Sequence, residues 1–158
     1  MNPEEVMRLV LSLTDSGSID EAVKKLERLK GAADSAKAGY EVLEGNGKYA
    51  VQAPLSTLHL FQGWADQMLT TPANGVRDLM FTLTGVYDGY KLIGCYHDFD
   101  FQHVSGNIGR EWDASLTRTF ADHFTVELIV ADYLADNRVA AGTTIDTLKV
   151  WTALTVSY

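Results

Sequence analysis

The chain holds one cysteine, three prolines and no recognisable catalytic or ligand signature in 158 residues. With Cys95 alone, an internal disulfide is impossible, and a buried reduced thiol in a cytosolic protein is the expected state. No apolar run approaches the ~18 residues that suggest a membrane helix. The opening Met1-Asn2-Pro3-Glu4-Glu5 is acidic, so the basic start of a signal peptide is not expected. Basic residues are scarce, 13 Lys and Arg against 21 Asp and Glu, for a formal charge of −8. The acid excess is spread, with net −3 over residues 1–47 and −5 over residues 48–158. No basic stripe is left to neutralise phosphates, which disfavours nucleic-acid binding. The expected location is cytoplasmic, or the virion if the protein is viral.

Enzyme signatures are missing as well. Gly45-Asn46-Gly47-Lys48-Tyr49 fails as a phosphate loop, because Val42 and Tyr49 stand where that pattern needs Gly and Ser or Thr. No Gly-x-Ser-x-Gly elbow accompanies Asp122-His123, His59 has no sequence partner, and Cys95 lies in no recognisable nucleophile context. Gly106-Asn107-Ile108-Gly109 reads as a turn. No catalytic, cofactor-binding or metal-binding residue is assigned, and no cofactor is expected.

What is present is a change of hydrophobic period near residue 78. Before it, apolar residues mostly recur at helical spacing; after it, they mostly alternate. Asn2-Pro3-Glu4-Glu5 has the form of a helix start, followed by the stripe Val6, Leu9, Val10 and Leu13. Ser18-Ile19-Asp20-Glu21 has capping-box spacing and opens a second stripe of Ile19, Ala22, Val23, Leu26 and Leu29. Residues 31–39 carry small side chains; if helical, Ala32, Ala36 and Gly39 form a seam for close backbone approach. A short strand is expected at Lys48–Gln52 and a helix from about Ser56 to Leu69, on Leu58, Phe61, Trp64, Ala65 and Met68. Pro72 and Asn74-Gly75 mark a loop.

From Leu79 the pattern is that of strands. Leu79, Phe81 and Leu83 share one parity; Ile93, Cys95, Phe99 and Phe101 share another. Leu116–Val130 reads as strand, although spacing four leaves part of 113–134 open to helix. Leu148, Val150, Leu154 and Val156 alternate in a last strand. The predicted fold is α+β: N-terminal helices followed by a mainly antiparallel sheet or sandwich. It forms one domain over 1–158, with a helical region 1–47, a strand and helix connector 48–78 and an antiparallel β region 79–158. The hairpin register follows from burial. A three-residue bulged turn, Tyr87-Asp88-Gly89, opposes Phe81 to Cys95 and gathers the apolar residues on one face, whereas a two-residue turn mixes the faces. The bulged form is the expectation.

The densest ligand candidates are His97, Asp98, Asp100 and His103. On a strand His97 and His103 stand about 20 Å apart, too far for one metal ion. Asp98 and Asp100 share a face about 7 Å apart and read first as the solvated side of a strand whose other side is Phe99 and Phe101. Trp64, Trp112 and Trp151 read as core.

Two functions from different classes fit. One is a non-enzymatic structural or assembly subunit working as a homo-oligomer. Leu79–Thr84, Tyr90–Gln102, the turn Ser105–Gly109 and Leu116–Val130 together resemble the β-structural proteins of phage tails, meaning tube, terminator and baseplate subunits. That resemblance implies stacked rings of subunits around an acidic lumen, self-association or related subunits as partners, and a virion component. The alternative is a small α+β cone enzyme or small-molecule-binding protein, with a pocket between Phe61 and Trp64 on the helix and Phe81, Ile93 and Tyr96 on the sheet.

Overall fold

The computed structural model describes residues 34–52, 61–136 and 145–158. They form a six-stranded antiparallel meander in the order β1 to β6. The strands are β1 (Ser35–Leu43), β2 (Val76–Tyr87), β3 (Tyr90–Phe101), β4 (Asn107–Phe120), β5 (Phe124–Ala135) and β6 (Thr147–Val156). Among the described residues there is no helix, which corrects the α+β expectation. The two predicted helices over residues 2–29 lie outside the described residues.

Two further expectations fail inside the described region. The small-residue stretch runs into β1, which pairs with β2 through Gly39↔Met80 and Tyr40↔Leu79. Its small side chains do permit close approach, but of Met80 and Phe61. A Cβ on Gly39 would lie 2.8 Å from Met80 Cε and 3.0 Å from Phe61 Cε1. The predicted helix around Ser56–Leu69 is irregular where described, over residues 61–69, with positive φ at Gln62, Gly63 and Asp66. The amides of Gln62 and Ala65 donate to Asp78 and Glu111 on the sheet. Those carboxylates outcompete the carbonyls of a helical turn. At 48–52 only a single bridge forms, Gly45 with Ala50.

The β2–β3 hairpin also departs from expectation. Tyr87 pairs with Tyr90, so the turn is the two-residue Asp88-Gly89 and Phe81 faces Tyr96. Both turn residues have positive φ, 49° and 76°, as a type I′ turn requires. The sheet is accordingly covered on both faces here: Phe81 and Tyr96 are buried on one side, Met80 and His97 on the other. A Cβ on Gly89 would meet nothing within 4 Å, so Gly89→Ala tests the backbone alone. We expect it to cost about 1–2 kcal/mol in urea unfolding, the left-handed penalty of an L-residue. An unchanged midpoint would exclude the type I′ turn.

The stretch Leu116–Val130 is two strands rather than one. Ala121 and Asp122 take positive φ and reverse the chain between β4 and β5. At the other end of β4, the partner of Asp100 jumps to Asn107 while Phe99 keeps Gly109. The extra residue, Ile108, joins the core with Val76, Phe99, Phe101, Ala131 and Tyr133. Trp64 and Trp151 pack against that core, together with Ala65 and Met68 from the loop above it.

Candidate functional site

Alternation along three neighbouring strands builds the site. Asp78, Met80 and Thr82 of β2 point to the same face as Cys95, His97 and Phe99 of β3, and as Glu111, Asp113 and Ser115 of β4. Cys95 stands opposite Asp113, and His97 opposite Glu111. With strands about 4.8 Å apart, side chains two positions along one strand and across the next come into hydrogen-bonding range. Asp78, His97 and Glu111 are fully buried, and Asp113, Ser115 and Cys95 nearly so.

His97 is the hub. Its Nδ1 lies 2.9 Å and 3.0 Å from the two carboxylate oxygens of Asp78, which can only accept, so Nδ1–H donates. Its Nε2 lies 3.2 Å from Cys95 Sγ and 3.6 Å from Asp113 Oδ2. Thr82 Oγ1 reaches Cys95 Sγ at 3.3 Å. The loop over this face supplies the outer support. Gln62 N–H donates to Asp78 Oδ2 at 2.7 Å, and Ala65 N–H donates to Glu111 Oε1 at 2.6 Å. Gly63 is necessary for that approach: a Cβ there would lie 2.3 Å from Glu111 Oε2.

The electrostatics are those of several charges in a dry site. Burial works against an imidazolium at His97. The hydrogen bonds to Asp78 and Cys95, with their charges, outweigh it and raise the pKa to about 10. Burial, and then the adjacent Glu111, push the Asp113 carboxyl up to about 10. Both Asp113 oxygens, Glu111 Oε2 and Ser115 Oγ lack a hydrogen-bond partner. Such orphaned buried atoms are rare enough in folded proteins to require a physical reason.

Asp78, His97 and Cys95 have the connectivity of a carboxylate–imidazole–thiol triad. A nucleophile must meet substrate, however, and Cys95 is only 5% exposed beneath the loop. The arrangement suits a held ligand better than an attacked one.

The other candidates lie apart. His103 is exposed in the turn after β3. Asp122 and His123 are exposed in the β4–β5 turn, where His123 Nδ1 contacts the Ser157 carbonyl at 3.1 Å. Asp98 and Asp100 do share a face, and the Asn107 side-chain amide bridges them at 2.7 Å and 3.2 Å. Burial raises the Asp98 pKa, against the Asn107 hydrogen bond. Asn46 Oδ1 accepts from the amides of Lys48 and Tyr49, which makes 45–50 a tight turn. His59 lies outside the described residues. The expected pocket is divided by the sheet: Ile93 points to the loop side, Phe81 and Tyr96 to the other.

The face opposite the site is different in kind. Near β1–β3 it is buried at Ala36, Phe81 and Tyr96, and Trp112 lies against Tyr96 at 4.6 Å between ring centres. Toward β4–β6 it exposes Leu92, Leu116, Phe120, Phe124, Val126, Leu128, Val150, Leu154 and Val156, all on one side of the sheet. Sequence reading missed the buried cluster because it sorted charged residues outward. One signal was available: Cys95 and His97 share the parity of Phe99 and Phe101, a face otherwise marked as core. Compared with protein-family models, curated proteins and solved structures, the chain matches none.

Proposed function

We propose that the protein is a structural or assembly subunit that packs the apolar part of its open sheet face against a second copy of itself. One observation carries this reading. Val150 is 60% exposed, Leu154 65% and Leu128 41%, on a contiguous face spanning β3 to β6. Such a face covers roughly 20 by 20 Å at ordinary strand spacing. An exposed contiguous apolar patch of that extent marks an interaction surface rather than ordinary surface composition.

Charge favours a like partner. The chain carries −8, yet within this patch Arg118 is the charged side chain, and Asp132 lies on the same face at its margin, opposite Leu148. Its guanidinium lies over Tyr90 at 4.2 Å and Phe120 at 5.3 Å. Two copies can therefore meet through the centre of this patch with Asp132 left at the rim, in the aligned geometry of stacked sheets. A tail-type virion component is the narrower form of this reading, supported by the antiparallel sheet and the acidic charge; rings in electron micrographs would distinguish it from a simple dimer.

Size-exclusion chromatography with light scattering tests the proposal. We expect at least two chains per particle, and at least a hundredfold weaker association in Leu128→Glu with the fold retained by circular dichroism. A wild-type monomer across the accessible concentration range would overturn it, as would a Leu128→Glu variant that assembles like wild type.

A further inference from the structure

We infer that Cys95 Sγ, His97 Nε2 and Asp113 Oδ2 form a binding site for one divalent cation of the zinc class. The inference is independent of self-association. The three atoms lie within 4.8 Å of one another, each from a buried residue. Two separations are known individually: Sγ to Nε2 is 3.2 Å and Nε2 to Oδ2 is 3.6 Å. A tetrahedral ion with ligands at 2.0–2.3 Å places them about 3.3–3.8 Å apart, so a small closure around the ion completes the geometry.

The surroundings are those of a metal-binding histidine. A ligating imidazole turns one nitrogen to the ion and donates from the other to a carboxylate, which fixes the ring. His97 does this with Asp78, and Asp78 is itself held by the Gln62 amide. Asp113 gives the independent observation. Its side chain is fully buried, neither oxygen has a hydrogen-bond donor, and the carboxylate is directed at His97 Nε2. A cation placed between them satisfies Asp113 and offsets part of the charge of the buried acids at 78, 111 and 113. The fourth position is left for a water.

The donor set selects the ion. Thiolate and imidazole suit zinc, whereas calcium and magnesium demand oxygen ligands. On binding, the Cys95 thiol, the Asp113 carboxyl and the His97 Nε2 position each give up a proton to solvent and turn a lone pair to the cation. No electron is transferred.

The test uses the full chain, stripped by chelator in mild denaturant and refolded with or without zinc chloride. We expect one equivalent of zinc after desalting and a melting temperature higher by roughly 5–10 °C at a hundredfold excess over the dissociation constant. Refolding with cobalt chloride should give a near-ultraviolet thiolate-to-cobalt band. Cys95→Ser and Cys95→Ala should lose that band and the melting shift. Folded wild type that retains no zinc and shows no cobalt band overturns the inference. A band that survives in both cysteine variants overturns it equally.

Discussion

Asp78→Ala, measured in chelator so that no metal contributes, is expected to cost about 3–5 kcal/mol of folding stability. Asp78 is fully buried and serves two groups at once. Its carboxylate accepts from His97 Nδ1 through both oxygens, and Oδ2 also accepts from the Gln62 amide. Alanine leaves a buried imidazole without its counter-charge and a buried amide without an acceptor. Each loss carries its own desolvation penalty, because water does not replace the partner. A loop anchor is lost with them, since the Gln62 amide is one of several groups, with the Ala65 amide and the Asp66 carboxylate, that tie residues 61–71 to the strands. Urea unfolding of wild type and variant measures the difference. A loss below about 1 kcal/mol would mean that His97 and Gln62 find other partners.

The second large effect separates the two faces of the sheet. Phe99 is fully buried between His97, stacked at 5.5 Å, and Tyr133 at 6.1 Å, in a cluster with Val76, Ile108 and Met68. Phe99→Ala removes the largest part of that contact and leaves a cavity that β-strand neighbours cannot close, for about 3–5 kcal/mol. Leu154→Ala removes a side chain that is 65% exposed. In dilute, unassembled protein it should change stability by no more than about 0.5 kcal/mol. Comparable costs for the two substitutions would show that the β5–β6 side is core in the single chain, and would remove the basis for self-association. The comparison needs only unfolding curves at one low protein concentration.

The hairpin shows where sequence reasoning worked and where it stopped. Alternation from Leu79 to Thr84 and from Leu148 to Val156 marked strands that the fold contains. Asp88-Gly89 marked the turn, and Phe99 with Phe101 did fall on the side opposite Asp98 and Asp100. The register did not follow, because it was chosen to keep charge out of the interior. Asp78, His97, Glu111 and Asp113 are inside, and what admits the first three is the Asp78–His97 pair plus two loop amides, 16 and 46 residues away in sequence from the carboxylates they meet. Asp88-Gly89 favoured the two-residue turn on local grounds, and local chemistry outweighed the burial rule.

The same cause hid the site and misread residues 35–43 and 61–69. Helical spacing of Phe61, Trp64, Ala65 and Met68 is real, but the amides that would build the helix are taken by carboxylates on β2 and β4. Small side chains at Ala36, Ala38 and Gly39 suit a helix seam and a covered strand equally. Only the presence of β2 beside them and Phe61 above them decides for the strand. By itself, then, the sequence determined the acidic charge, the single thiol, the strand-forming segments after residue 78 and the turn at Asp88-Gly89. Those depend on composition and on neighbours a few residues apart. The tertiary structure alone decided the register, the irregular loop over the sheet, the gathering of Cys95, His97 and Asp113, and the exposure of the far face. Each of these depends on which strand lies alongside and which amide finds which carboxylate, and that information exists only once the chain is paired.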